Sequence, residues 1–315
     1  MSRYFPFAHG RYEVVPGLAR LGKDFGNGAA DGQIFQVDDQ FAKYRATKLA
    51  GRQACFERYV CAARLSDEVR AAVTRFIVEG LVGEHPRHFQ VRPADGCTEL
   101  RCGLTGETLR FDAAGRLVAA TAEARPAYHD GLDALACQVQ EDLAIVRSDA
   151  GGHWVSYLHL CCPNHWAASE KIGRDFATVH APVAGIEPIN RRADIHVKTM
   201  IAATEGLVRF AWGLATDDEL DHHPERDALT AARRFDRGRP RAFVRVERQT
   251  IWGFPAVGAA LFTIRTYFVD CAEMKRSEPG MCAALVAAIE SMSVESARYK
   301  GLEGWRGALL EWLRS

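Results

Sequence analysis

The 315-residue chain has no excess charge of either sign: 40 Lys and Arg residues offset 40 Asp and Glu. Nonspecific nucleic-acid binding relies on a basic excess, so the balance argues against that class and leaves room only for a local basic pocket. No window holds 18 uninterrupted apolar residues, which argues against a transmembrane helix. The start, Met1-Ser2-Arg3-Tyr4-Phe5-Pro6, lacks the apolar run of a secretory signal. Nine cysteines (55, 61, 97, 102, 137, 161, 162, 271 and 282) include no Cys-x-x-Cys pair, so a zinc ribbon or a thioredoxin-type site is excluded. Free thiols in a reducing cytoplasm are the expectation. Several catalytic signatures are missing too. There is no Gly-x-Gly-x-x-Gly after a strand, no phosphate loop, no Gly-x-Ser-x-Gly elbow and no His-Glu-x-x-His.

What is present suits a globular chain. Hydrophobic residues make up 48% and charged residues 25%, enough to build a large core without disulfide or metal staples. The length fits one elaborated domain or two modest ones. With no internal repeat or low-complexity linker, the reading is a single α+β domain over residues 1–315. The Gly- and Pro-punctuated start reads as an extended arm, about 1–37, that wraps a core. A helix is expected from Asp38-Asp39 to about Arg64, since acidic side chains suit a helix N-terminus. A second begins at Ser66, with Val69, Val73, Phe76, Ile77 and Leu81 as its apolar stripe and Gly83 and Pro86 closing it. Thr98 to Thr121 reads as a meander of short antiparallel strands. Helical period returns from Gly131 to Asp142, with Leu132, Leu135, Ala136, Val139 and Leu143 on one face. Trp154 to Cys162 reads as a strand, Val244 to Phe268 as a hairpin turning at Gly253-Phe254-Pro255, and about 281–315 as two terminal helices.

The polar residues divide into bland and chemical readings. His222-His223 sits among Asp217, Asp218, Glu219, Asp221 and Glu225 and reads as a solvated acidic loop, because no third ligand stands at a telling spacing. His165 is either a loop histidine or a pocket-lining one. His180, between Phe176-Ala177-Thr178-Val179 and Ala181-Pro182-Val183, lies at the end of an apolar, extended run. It is either a satisfied core histidine or a haem-iron ligand. Cys162-Pro163 is either a buried thiol or a source of thiolate. The densest polar cluster is Arg245-Val246-Glu247-Arg248-Gln249-Thr250, followed by Thr263-Ile264-Arg265-Thr266-Tyr267. Strand alternation puts Arg245, Glu247 and Gln249 on one face and Val246, Arg248 and Thr250 on the other. These strands are either salt-bridged surface or a source of guanidinium forks for carboxylates.

At these residues the chain resembles the haem-dependent oxidative N-demethylase alpha-subunit family. The resemblance is carried by Gln140-Glu141-Asp142-Leu143, Cys161-Cys162-Pro163-Asn164-His165-Trp166, Glu170-Lys171-Ile172-Gly173-Arg174, Val179-His180-Ala181-Pro182-Val183 and Arg209-Phe210-Ala211-Trp212. The two hairpin segments, Arg245 to Thr250 and Leu261 to Tyr267, extend it, and it spans about residues 4–290. It implies a PAS-like antiparallel sheet with helical decoration, holding haem b. It also implies oxidative removal of a methyl group from a secondary amine through a carbinolamine that collapses to amine and formaldehyde. Electrons would come from NADPH through a separate flavin and iron–sulfur reductase. The resemblance points to Glu247 and Tyr267 as catalytic residues. It points to Lys171, Arg174, Arg209, Trp212, Arg248 and Arg265 as cofactor-binding residues. His180 is the expected iron ligand, with Cys162 second. The absence of Cys-x-x-Cys-His makes the haem noncovalent.

The departures concern the pocket. Ala211 stands where the family tends to have Asn, and Cys162-Pro163-Asn164-His165-Trp166 replaces Phe-Pro-Ser-Gly-Trp. Ala184 replaces a Pro, and Trp252-Gly253 replaces a basic pair. The substrate is therefore an amine or amine-bearing metabolite that need not be dimethylamine. A haem-binding sensor or carrier without turnover, and an N-oxygenase or hydroxylase of a biosynthetic pathway, are the alternatives.

Overall fold

The computed structural model describes residues 3–121, 124–226 and 234–315. The strands are β1 (Ala19–Arg20), β2 (Val60–Ala62), β3 (Phe89–Ala94), β4 (Cys97–Cys102), β5 (Thr108–Phe111), β6 (Leu117–Ala120), β7 (Asp142–Asp149), β8 (Gly152–His159), β9 (Leu207–Ala215), β10 (Phe243–Phe254) and β11 (Ala259–Asp270). The helices are α1 (Phe41–Tyr59), α2 (Asp67–Glu84), α3 (Gly131–Ala136), α4 (Ala168–Lys171), α5 (Phe176–His180), α6 (Glu187–Asn190), α7 (Ala193–Ala202), α8 (Cys271–Ser277), α9 (Pro279–Glu290), α10 (Val294–Tyr299) and α11 (Arg306–Arg314). Helices and antiparallel sheets make this an α+β protein. One sheet has seven strands in the order β1-β9-β10-β11-β7-β8-β2, and a second has four, β3-β4-β5-β6.

The β10–β11 hairpin is the spine of the large sheet. It pairs in unbroken register from Phe243 opposite Asp270 to Phe254 opposite Ala259. Gly258 closes the turn at φ 60°, a left-handed conformation that costs glycine nothing. Alternation then sorts the side chains, because successive residues point to opposite faces. On the back face, Leu143, Ile145, Ala259 and Leu261 join α2 residues Val69, Val73, Ile77 and Leu81 in one core cluster. Those four α2 side chains are fully buried, each burial contributing roughly 1.5–3 kcal/mol. Ser66 caps the helix by accepting from the Val69 amide. On the front face, α7 crosses the sheet closely. A Cβ at Gly253 would lie 2.1 Å from the Ile201 carbonyl oxygen, so only glycine lets the helix end settle there.

Several elements differ from the sequence reading. The first helix starts at Phe41 and stops at Tyr59, because Val60–Ala62 pairs with β8 as an edge strand. Asp38 does not cap it; its carboxylate accepts from the Gln40 amide, from Gln140 and from Arg265. The helical run from Gly131 ends at Ala136, and Leu143 lies in β7, since a stretch buried on all sides carries no decisive period. His180 ends the short helix α5 rather than an extended run. His222 and His223 are 2% and 1% exposed, so the solvated-loop reading fails. His222 Nε2 meets Asp217 at 2.7 Å and its ring stacks on His165 at 4.9 Å, and these partners carry the pair inside. The arm does wrap the sheet: β1 pairs with β9, and a 3-10 turn over Gly28–Gly32 precedes the run into α1.

Candidate functional site

A cavity of about 530 Å³ lies over the front face of the large sheet. Its size is that of a cofactor or drug-sized ligand site. Glu247, Gln249 and Ile251 of β10 contribute to its floor, with Arg209 and Ala211 from β9, Phe262 and Ile264 from β11, and Ala144 and Val146 from β7. Register makes this set coherent: Ala211 faces Glu247, Arg209 faces Gln249, and Phe262 faces both Ile251 and Ala144. Helices α5 and α7 supply a wall with Phe176, Val179, His180, His196 and Met200. Arm residues from His9 to Leu18, apart from Gly10, close another side, and Tyr299 and Lys300 enter from the end of α10.

His180 is held in one orientation. Its Nδ1 lies 2.8 Å from the Phe176 carbonyl, which assigns the proton to Nδ1 and leaves Nε2 as a lone-pair nitrogen. The Phe176 ring packs against it at 4.2 Å. Burial pushes the imidazole down to about 4, and the Lys171 and Arg209 charges push the same way, so the ring is neutral at ordinary pH. A neutral imidazole with its second nitrogen fixed by a carbonyl is the form that binds a metal.

Three cations share the cavity with Glu247. Burial lowers the Lys171 ammonium, the Arg209 guanidinium and the Lys300 ammonium, and the Glu247 carboxylate opposes the fall in each case. None of the three side chains forms an ion pair or a side-chain hydrogen bond among the described residues. Lys171 Nζ rests 3.9 Å from the centre of the Trp166 ring, and Lys300 Nζ lies 5.7 Å from that of Tyr12. Arg209 Nε and Gln249 Oε1 are buried without a partner. Glu247 itself accepts from Gln249 Nε2 at 3.0 Å.

Of the residues expected from the sequence, Glu247, Lys171, Arg209, Trp212 and His180 line this cavity. Trp212 packs with Phe7 and Tyr12. Arg248 and Arg265, expected to bind the cofactor, and Tyr267, expected to be catalytic, stand on the opposite face, where they hold the arm. Arg248 donates to the carbonyls of Asp31 and Gln33 at 3.2 and 2.6 Å. Arg265 donates to Asp38 at 3.0 Å and stacks over Tyr44 at 3.9 Å, while Tyr267 donates to Gln36. The cause is register: Arg248 opposes Arg265 and Val246 opposes Tyr267, so all share the face away from the cavity. Arg174 is exposed in the turn after α4.

Among the altered positions Ala211 lines the cavity. His165 stacks on His222, and Trp252 packs on Phe76 at 4.8 Å. Cys162 is a fully buried thiol pushed upward by burial, and is not among the lining residues. All nine cysteines are free. Gln249 was legible from its alternation with Glu247. Lys300, Tyr12 and His196 carried no signal, because nothing in their local sequence marks a side chain that meets the sheet only after folding.

Among the described residues two buried groups have metal-ligand residue types: Asp133, Cys137 and His159, and Asp142, His159 and Cys161. Their donors are already engaged. Both Asp133 oxygens are taken by Arg52 at 2.7 Å, and Asp142 accepts from the amides of Cys161 and Cys162. None of these residues lines the cavity. No helix of the described residues is long and apolar enough to cross a membrane. The family model described as haem-dependent oxidative N-demethylase, alpha subunit-like, matches residues 28–310.

Proposed function

The chain belongs to this family, and from that premise we propose that it is a haem b-dependent monooxygenase. Its reaction is oxidative N-demethylation, or a related oxidation, of a secondary amine or amine-bearing metabolite. The family description supports haem-dependent oxidative chemistry and the character of an alpha subunit. The observation that carries the reading for this chain is His180: a neutral, oriented imidazole with an unprotonated Nε2 in the cavity wall. The rest of the lining fits the group. Ile251, Phe262, Ile264 and Met200 offer the apolar surface a macrocycle needs, and the Lys171 and Arg209 cations suit carboxylates. Trp212 lines the arm side.

Chain topology supports the PAS-like assignment. The β7–β8 hairpin, a helical crossover of α4 to α7, and the meander β9-β10-β11 return the last strand beside β7. The cavity lies between that sheet and the crossover helices, and residues 1–315 act as one haem-binding unit.

When bound, haem supplies oxygen activation, with electrons from NADPH through a separate flavin and iron–sulfur reductase in the cytoplasm. The protein's own part follows from the lining. His180 would hold the iron through Nε2. Glu247, oriented by Gln249, offers the substrate's amino group a carboxylate on the sheet floor. The arm and the Tyr299–Lys300 segment exclude water, which strengthens every charge interaction inside. Ala211, directly opposite Glu247, leaves room beside the carboxylate for an amine larger than a bare methylamine.

Reconstitution with haem tests this. The expected result is an acid–acetone-extractable Soret band and a ferrous–carbon monoxide spectrum of the imidazole type. In His180→Ala that spectrum should be lost and then restored by added imidazole. A thiolate-type spectrum, or an unaltered His180→Ala, removes His180 from the role. Formaldehyde release with secondary amines, reductant and oxygen tests turnover, and its absence across the series contradicts demethylation.

A further inference from the structure

Lys300 comes from a part of the chain remote from every other cavity residue except Tyr299. It follows α10, yet its side chain enters the cavity with Cδ 3.8 Å from the Cβ position of Gly213 on β9, two residues along from Ala211 opposite Glu247, the carboxylate that Lys171 and Arg209 also face. A Lys placed for solubility would point to water. This one is brought inside beside two other cations, with a single carboxylate on the sheet floor near them. Its cost is like-charge repulsion with Arg209 as well as desolvation. Three cations against Glu247 leave an excess of about two positive charges at that end of the cavity. The other ionisable lining groups do not supply the balance there. His9 and Glu13 sit 4.0 Å from each other, about half exposed, and His180 and His196 are pushed toward the neutral form by burial.

We propose that Lys300, Lys171 and Arg209 form one seat for a pair of carboxylates. The proposal rests on the reading of the cavity as a cofactor site and goes beyond it by naming the charged end. The shared chemistry is two carboxylates. They belong either to the propionates of haem or to a dicarboxylate portion of the substrate. Before the ligand arrives, Glu247 offsets part of the repulsion among the three cations.

Metal-free protoporphyrin IX separates this from the iron chemistry, because it carries the carboxylates and needs no axial ligand. Its binding is measured by porphyrin fluorescence against its dimethyl ester in the same cosolvent, with glutarate as a small dicarboxylate in calorimetry. For propionates, the free acid binds at least about tenfold tighter than the ester. The gap shrinks in Lys300→Met and is kept in Lys300→Arg. For a substrate carboxylate, acid and ester bind alike, while glutarate binds the parent and not Lys300→Met. The proposal is overturned if neither the acid–ester gap nor glutarate binding is seen in the parent. It is also overturned if whichever is seen survives in a folded Lys300→Met protein. His180→Ala should leave the acid–ester gap intact, so a failed iron-ligation test counts against the haem reading and not against the seat.

Discussion

Glu247 and Arg248 are neighbours on β10 and face opposite sides of the sheet. On Arg248's side, the charged groups are engaged with the arm: Arg248 with backbone carbonyls, Arg265 with Asp38, and Glu84 with the amides of Ile34 and Phe35. On Glu247's side, Lys171, Arg209 and Lys300 have no such partners. The same strands therefore carry two kinds of charge. One kind is structural and tied to the arm on folding, although Nε and Nη1 of both Arg248 and Arg265 stay buried without a hydrogen-bond partner. The other is kept uncompensated inside a cavity, where it costs stability and is available to a ligand. Burial alone does not tell them apart; the partner does.

The largest test of this contrast is Arg265→Met. It leaves Asp38 without its cation at the arm junction, and the unfolding free energy should fall by about 3 kcal/mol in urea titration. A loss under a third of that would mean that the arm does not depend on the pair.

Glu84 offers a pH test of the same face. Burial pushes its carboxyl up to about 7. The folded state thus holds the proton more tightly than the unfolded one, whose carboxyl titrates near 4.5. The stability from this group is complete below pH 4.5 and is lost as pH rises through 7, by about 3 kcal/mol in all. Glu84→Gln should flatten that slope. A wild-type curve that rises between pH 5 and 8 with an identical rise in the variant would exclude the assignment.

The smallest effect belongs to the cavity. Arg209→Met removes a charge that no ion pair or side-chain hydrogen bond holds and leaves Glu247 facing Lys171 and Lys300, so stability should change by no more than about 0.5 kcal/mol, or increase. Carboxylate-dependent porphyrin affinity should drop in the same variant. A destabilisation comparable to that of Arg265→Met would show that Arg209 is structural after all.

Much of the scaffold was legible in the residues. The stripe of Val69, Val73, Ile77 and Leu81 with its Ser66 cap predicted α2, and the alternation from Val244 predicted the hairpin. That alternation already separated Glu247 and Gln249 from Arg248. Its consequence, that Arg248 cannot reach a ligand held by Glu247, needed the further knowledge of which face is hollow. The register of β11 likewise sent Arg265 and Tyr267 to the arm. The two histidines at 222 and 223 were misread because local composition around them is acidic, while Asp217 and His165 turn them inward only in the folded chain.

By itself the sequence determined the α+β character, the hairpin at the centre of the large sheet and the family, because these follow from local periodicity and ordered motifs. The tertiary structure alone decided which charges are spent on the arm and which stay open in the cavity. It also decided that a lysine after α10 shares a site with His180 and Glu247. Those outcomes depend on which groups lie within a few ångströms across the fold, and no local pattern encodes that.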